Sequence, residues 1–180
     1  MREFAGEPPI EERVGDRLRE AEMTVATAEA CTGGLITALL TDVPGSSAYV
    51  DRGFVTYAYD SLREVLGVTR EQLDEHGAVS VPVTRAMARS ARDRADTTWG
   101  LATTGIAGPD GGTPDKPVGT VFVGLAYAAP WGTEASYARV ERYEFEGSRL
   151  AVKERAARAA LEWLFEAVEE DDTPPGTETA

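Results

Sequence analysis

The chain has 180 residues, a length that suits one domain. It carries 31 acidic and 18 basic side chains, and its formal net charge of −13 disfavours binding to nucleic acid, because the phosphate backbone would be repelled. No apolar run approaches the roughly 20 residues of a membrane helix, the N-terminus has no apolar signal core, and a single cysteine, Cys31, excludes an internal disulfide. We therefore expect a cytoplasmic protein without membrane or nucleic-acid partners, and its acidic, lysine-poor composition suggests a halophilic, high-salt cytoplasm.

Hydrophobic periodicity predicts helices and strands in alternation through the first half of the chain. A helix over Ile10–Met23 and a strand over 24–28 come first, and then a glycine-bearing turn and a short helix that ends at Leu40. Backbone N–H groups at such a helix start could hold an anionic ligand, although plain packing of helix on strand explains the turn equally well. The next predicted elements are a strand at 51–59, short helices at 61–66 and 69–75 with Asp60 and Thr69 as caps, and a helix at 81–95.

The second half is predicted to hold two buried strands, a further strand and a long helix. These elements cover 99–103, 121–129, 134–145 and 149–168. Residues 1–9 are expected to be loose and 169–180 to be a disordered acidic tail, which leaves one domain over 10–168. Helices and strands that alternate first, followed by a hairpin that closes the chain, predict an α/β fold with a mixed sheet that is covered by helices on both faces.

The two buried strands flank a long loop over 103–120 that is rich in glycine and proline. Glycines let a backbone approach a ligand closely, while Pro109, Pro114 and Pro117 restrict the same segment. Loops this long inside a compact domain are usually functional or disordered. We therefore predict a shaped, functional loop, with a plain surface loop as the alternative.

Few side chains offer catalytic chemistry. Ser46 and Ser47 follow Gly45, but a hydroxyl needs a base to become a nucleophile. The single histidine, His76, is expected to be a helix-end residue more readily than a base. The only lysines are Lys116 in the long loop and Lys153, which we expect to face solvent. One histidine and one cysteine make a metal site a poor prediction, and Cys31 is either a nucleophile or, more simply, a small buried thiol.

Five segments together resemble one known family. They read AEACTGG at 28–34, TDVPGSSAY at 41–49, GFVTYAY at 53–59, HGAVS at 76–80 and TGIAGPDGGTPDKPVGTV at 104–121. Over residues 10–168 the chain is similar to the CinA C-terminal domain family, whose enzymatic members are nicotinamide mononucleotide deamidases. The resemblance implies a three-layer α/β/α domain with a mixed sheet, a homo-oligomer, and a reaction that uses no metal and no cofactor.

The resemblance also implies a reaction and a set of site residues. The reaction is hydrolysis of nicotinamide mononucleotide to nicotinic acid mononucleotide and ammonia, a step of pyridine nucleotide salvage in NAD metabolism. A serine–lysine dyad would catalyse it, with Ser47 as nucleophile and Tyr57 in the same pocket. Arg149 suits a phosphate, because a guanidinium can bind two oxygens. The substrate-binding set that follows is Ser46, Thr32, Gly33, Thr104, Gly105, Gly108, Gly111, Gly112 and Arg149.

Two positions depart from the family pattern. Leu62 stands where the family has the lysine of the dyad, and Ala30 replaces the serine of AESCTGG. General-base assistance is worth about 10²–10⁴-fold in rate, so losing the base leaves little activity unless Lys116, Asp60 or His76 replaces it. Lys116, which lies in the long loop, is the catalytic candidate among these. The sequence therefore leaves three functions open: an amidohydrolase, a nucleotide-binding protein that no longer hydrolyses its ligand, or a structural role.

Overall fold

The computed structural model describes residues 3–171, in which a five-stranded mixed sheet lies between two layers of helices. The helices are α1 (Ile10–Glu20), α2 (Leu35–Thr41), α3 (Tyr59–Leu66), α4 (Arg70–His76), α5 (Val81–Ala95) and α6 (Arg149–Asp171), and the strands are β1 (Val25–Glu29), β2 (Val50–Val55), β3 (Trp99–Gly105), β4 (Thr120–Tyr127) and β5 (Tyr137–Glu144). The sheet order is β2-β1-β3-β4-β5. β1 runs parallel to β2 and β3, and β4 runs antiparallel to β3 and β5. The predicted three-layer α/β/α class is confirmed.

Alternating side chains divide the core between the two faces of the sheet. On one face, Val25, Trp99 and Leu101 pack with the apolar sides of α1, α2 and α6. On the other face, the strands contribute alanines, and these pack with the apolar sides of α3, α4 and α5. No helix within residues 3–171 is long and apolar enough to cross a membrane.

Helix α5 lies directly on a row of small residues in the sheet. A methyl group added to Gly100 would come within 2.1 Å of the Ala88 carbonyl oxygen, and one added to Gly124 would come within 2.9 Å of the Thr84 carbonyl oxygen. Because real Cβ atoms do not approach so closely, the backbone of α5 fills the space where side chains would otherwise stand. The absence of side chains at 100 and 124 thus sets the spacing between α5 and the sheet.

Helix α6 is joined to α1 by a buried ionic group. The Arg158 guanidinium donates to a carboxylate oxygen of Glu11 at 2.9 Å and to one of Glu154 at 3.1 Å. Burial would raise the pKa of Glu154, but hydrogen bonds from the Phe4 backbone N–H and from Arg158 outweigh burial and lower it. The triad fixes α6, which also carries the cations of the site described below.

Several predicted boundaries differ from the structure. β2 ends at Val55 rather than at residue 59, so that Tyr57 lies in a loop and Tyr59 begins α3. Asp60 is not the cap of α3, because the Ser61 hydroxyl accepts from the Ala58 N–H instead. The Thr69 cap is confirmed, since its hydroxyl accepts from the Gln72 N–H.

The two ends of the chain also differ from expectation where they are described. The N-terminal segment is not simply loose, because the Phe4 N–H donates to Glu154 and the Arg155 guanidinium lies 4.3 Å from the centre of the Phe4 ring. α6 continues to Asp171, three residues past its predicted end at residue 168. The rest of the expected acidic tail, residues 172–180, lies outside the described residues.

Candidate functional site

A cleft of about 240 Å³ opens at the carboxyl ends of the parallel strands. The sheet order reverses between β1 and β3, and crevices at such switch points are where open α/β sheets bind ligands. The side chains and backbone that line the cleft come from the segments after β1, β2 and β3 and from the start of α6, and they are Cys31, Tyr57, Gly105, Ile106, Ala107, Gly108, Asp110, Gly111 and Arg149. The cleft therefore joins Tyr57, Arg149 and three of the four predicted loop glycines.

Arg149 and Tyr57 form a fixed pair at the mouth of the cleft. One guanidinium nitrogen of Arg149 donates to the Gly108 carbonyl oxygen at 2.6 Å, and the other donates to the Tyr57 hydroxyl at 2.6 Å. The Tyr57 side chain is 61% exposed. Arginine carries five N–H donors, so these two bonds hold the group in place and leave other donors for a ligand.

The glycines of the long loop are required by the loop's own packing. A methyl group on Gly105 would come within 2.6 Å of the Thr120 carbonyl oxygen, and one on Gly108 would come within 2.5 Å of the Val118 side chain. Gly112, which is outside the cleft lining, meets the Val118 backbone nitrogen at 2.8 Å. A methyl group on Gly111 would make only an ordinary contact, 3.6 Å from the Ile106 side chain, but Gly111 has φ +93, a conformation that favours glycine. The loop is therefore shaped, as expected, by close contacts with itself.

The turn after β1 is already occupied by a carboxylate from the chain itself. Glu29 is fully buried and accepts from the backbone N–H groups of Gly34, Ile36 and Thr37. The Thr32 hydroxyl donates to Glu29 at 2.7 Å and lies 2.7 Å from the Thr103 hydroxyl. The structure therefore favours plain packing of helix on strand over an anion site at the start of α2, and Thr32, predicted to bind substrate, is completely buried.

Cys31 lines the cleft as a buried thiol. Burial and the nearby Glu29 carboxylate raise its pKa to about 12, against smaller opposing effects of backbone hydrogen bonds and Lys153. The thiolate is the nucleophilic form of cysteine, and at neutral pH this thiol stays protonated. The structure thus favours the buried-thiol alternative over a nucleophilic Cys31.

Thr104 and Lys116 hold the 76–80 segment in place. The Thr104 hydroxyl donates to the Ala78 carbonyl oxygen at 3.0 Å, and the Lys116 ammonium donates to the Val79 carbonyl oxygen at 2.6 Å. Neither residue lines the cleft. Lys116 therefore connects the long loop to this segment. Its position does not support the expectation that it could replace the missing base.

Ser47, predicted as the nucleophile, and Ser46, predicted to bind substrate, lie at the end of β2 that is opposite to the cleft. Ser46 and Ser47 form a 3₁₀ turn just before β2, whereas Tyr57 follows the carboxyl end of the same strand. A six-residue strand spans about 20 Å, at roughly 3.3 Å per residue. Within one chain, Ser47 therefore cannot act together with Tyr57 or with Arg149, which is bonded to Tyr57.

The two departures from the family pattern fall in one apolar cluster. Leu62 is 2% exposed and belongs to the core between α5 and the sheet, and Ala30 packs against that same cluster. Ala30 immediately precedes Cys31 in the cleft wall. The structure thus places Leu62 in, and Ala30 against, one apolar cluster to which Ser47 does not belong, and position 30 is where the family carries a serine.

Sequence reasoning missed Lys153, which was expected to face solvent. A methyl group built on Gly33 would lie 3.3 Å from the Lys153 ammonium nitrogen, and the side chain is half-buried. Lys153 follows Arg149 by four residues, a spacing that makes two helical residues neighbours on one face. That spacing is the signal in the sequence that could have found it.

These features agree with one family. Residues 7–168 match the CinA C-terminal domain. The chain belongs to the CinA C-terminal domain family. CinA-like proteins of Syntrophotalea carbinolica and of Anaeromyxobacter sp. (strain K) are 46% and 50% identical to it over 159 residues, and each alignment covers 88% of this chain and 37% of the relative. The chain therefore spans just over a third of the length of these curated relatives.

Solved structures of CinA proteins share the fold. The competence/damage inducible protein CihA from Agrobacterium tumefaciens superposes with a TM-score of 0.83 at 38% identity, covering 94% of this chain and 99% of that one. A CinA superfamily protein from Klebsiella pneumoniae 700603 superposes with a TM-score of 0.81 at 32% identity, covering 89% and 96%. The names of these two structures refer to competence and damage, the curated relatives are named only CinA-like, and none of the names states a reaction.

Proposed function

We propose that this chain binds a pyridine mononucleotide in the Arg149 cleft and has lost most of the amide hydrolysis that nicotinamide mononucleotide deamidases perform. The observation that carries the proposal is the pairing of a fixed arginine with a cleft that lacks an activated nucleophile. Arg149 is held by Gly108 and Tyr57 with donors to spare, and the cleft wall offers a protonated thiol at Cys31.

The ligand class follows from charge and shape. A guanidinium that is fixed at two of its nitrogens is suited to a phosphate, because its remaining N–H groups are already oriented. The glycine-rich wall from 105 to 111 presents backbone close to the cavity. A small nucleotide with an anionic end and a flat polar ring fits such a cleft better than a wholly apolar ligand would.

The loss of hydrolysis follows from positions 30 and 62. A hydroxyl becomes a nucleophile only beside a group that takes its proton. Alanine and leucine offer neither group, and both pack against the same apolar cluster. The binding cleft and the lack of a serine at position 30 and a lysine at position 62 are separate observations. The proposal therefore makes two separate predictions, one on binding and one on hydrolysis.

The test combines calorimetry with ammonia release. The purified chain should bind nicotinamide mononucleotide and release ammonia from it at the rate of the buffer alone. The double variant Ala30→Ser/Leu62→Lys should release ammonia, whereas each single variant should not, because the hydroxyl and the amine act as a unit. Thermal unfolding of all three variants checks that the buried lysine is tolerated. Absence of binding by the natural chain would refute the proposal, and so would turnover by it at an enzyme's usual rate.

An active amidohydrolase built on Ser47 is the second candidate, and the intact Tyr57–Arg149 pair favours it. Since Ser47 lies at the far end of β2, a second copy of the chain in the expected homo-oligomer would have to supply it. Mixing Ser47→Ala chains with Arg149→Met chains would then restore part of the turnover that each variant has lost. If the natural protein is active and the mixture of the two variants recovers no turnover, this arrangement is excluded.

A further inference from the structure

We infer that Lys153 is a ligand-binding residue of the cleft and that, with Arg149, it holds the phosphate of the bound mononucleotide. This inference rests on the proposed function and extends it to a residue that neither the motifs nor the loop predicted. It assigns the phosphate to the α6 side of the cleft.

The position of the ammonium group is the first argument. The turn over residues 31–33 forms one wall of the cleft through Cys31, and the Lys153 ammonium lies against the same turn at Gly33. Arg149 lines the cleft from the preceding turn of α6. Residues four apart on a helix have Cβ atoms about 5–6 Å apart, which places two cations on one face beside one cavity.

The second argument is that Lys153 has no partner of its own. Within residues 3–171 the ammonium makes no hydrogen bond or ion pair, although the protein carries 31 carboxylate side chains. Lys116, the other lysine, is bonded to the Val79 carbonyl oxygen. Glu29, the buried carboxylate that acts on Cys31 together with Lys153, already accepts hydrogen bonds from five donors of its own turn. Lys153 is therefore a half-buried cation that is left for an external anion.

The balance of charge selects the class of group. Asp110 and Arg149 line the cleft, and the Lys153 ammonium lies beside its wall at Gly33, outside the lining itself. The two cations outnumber the one carboxylate, so this side of the cleft favours an anionic group such as phosphate over a neutral nucleoside. Phosphate also accepts charge-assisted hydrogen bonds, which are about twice as strong as neutral ones.

The experiment compares two probes that differ only in phosphate. Dissociation constants for nicotinamide mononucleotide and for nicotinamide riboside are measured by calorimetry with the natural chain, Lys153→Met, Lys153→Arg and Arg70→Gln. Methionine keeps the length of the side chain and removes its charge. Arg70 is an exposed cation on α4 that pairs with Asp74, so its loss controls for the change in net charge.

We expect Lys153→Met to weaken mononucleotide binding about tenfold and to leave riboside binding unchanged, as a lost charged hydrogen bond predicts. Lys153→Arg should keep the preference for the phosphate, and Arg70→Gln should bind both probes as the natural chain does. Unchanged mononucleotide binding in Lys153→Met would overturn the inference and leave the proposed function standing. Equal weakening of both probes would overturn it too, because Lys153 would then act only on the turn. Binding of neither probe by the natural chain would overturn both.

Discussion

Replacing Arg158 with alanine is expected to lower the free energy of unfolding by about 3–5 kcal/mol at neutral pH, the range typical of a buried ion pair that loses one partner. Arg158 is 7% exposed, and the carboxylates of Glu11 and Glu154 that it contacts are 2% and 3% exposed. The variant keeps both carboxylates buried and removes the only cation that bonds to them in the described structure. The decrease in the free energy of unfolding therefore comes from burying two uncompensated charges, and it exceeds the contribution of the two hydrogen bonds alone.

Urea unfolding followed by tryptophan fluorescence measures the effect, and the pH dependence identifies its origin. The pKa of Glu154 is lowered in the folded protein, so its contribution is present above its ordinary pKa and is lost as the pH falls. Without Arg158, burial instead favours the protonated acid. The difference between the natural chain and the variant should therefore shrink as the pH is lowered from 7 towards 4.

Arg70→Ala is the matched control, because it breaks an exposed pair with Asp74 and should change stability by less than about 1 kcal/mol. If Arg158→Ala destabilises the protein no more than this control does, the buried triad does not stabilise the packing of α6 on α1. A difference that stays constant with pH would also contradict the electrostatic explanation.

Four other predictions follow from features of the structure. Gly100→Ala should destabilise the protein by about 3 kcal/mol in urea unfolding, because the new methyl group meets the Ala88 carbonyl oxygen, whereas Gly6→Ala should have little effect. Thr69→Ala should reduce stability by about 1 kcal/mol through loss of the α4 cap, and restoration of the midpoint by Thr69→Ser would support that cause. Cys31 should react with iodoacetamide far more slowly at pH 8 than a free cysteine does, since its pKa is raised to about 12; a rate equal to that of the free amino acid would contradict its burial. If the acidic surface reflects a high-salt cytoplasm, the unfolding temperature should rise between dilute and molar KCl, and an unchanged temperature would remove that interpretation.

The sequence predicted best those elements whose ends carry their own chemical signals. Helix α5 was predicted at its observed bounds because Pro82 suits a first turn and the apolar period continues to Ala95. The end of β2 was misplaced because Tyr57 and Tyr59 continue an aromatic run. Aromatic preference for strands reflects packing against neighbours more than any property of the backbone, and both tyrosines are exposed.

The candidate site was predictable only where motif residues follow strand ends. Tyr57 and Arg149 meet, as the resemblance implied, because Tyr57 follows the carboxyl end of β2 and Arg149 begins α6. The separation of Ser47 from Tyr57 depends on the direction and length of β2, which a motif does not encode. The position of Lys153 depends on the rotation of α6 about its own axis, which the triad with Glu11 sets from the far side of the helix.

The carboxylate of Glu29 has a consequence for how this protein can change. Among the described residues it accepts five hydrogen bonds, all from residues 32 to 37, so the turn is held without a hydroxyl at position 30. The architecture of the turn and the reactivity beside it are thus specified by adjacent but independent side chains. A single substitution at position 30 can add or remove a hydroxyl while the surrounding backbone remains as it is. On the proposed function, such a scaffold loses a reaction and keeps its ligand, and the reverse changes at positions 30 and 62 are open to selection or to engineering.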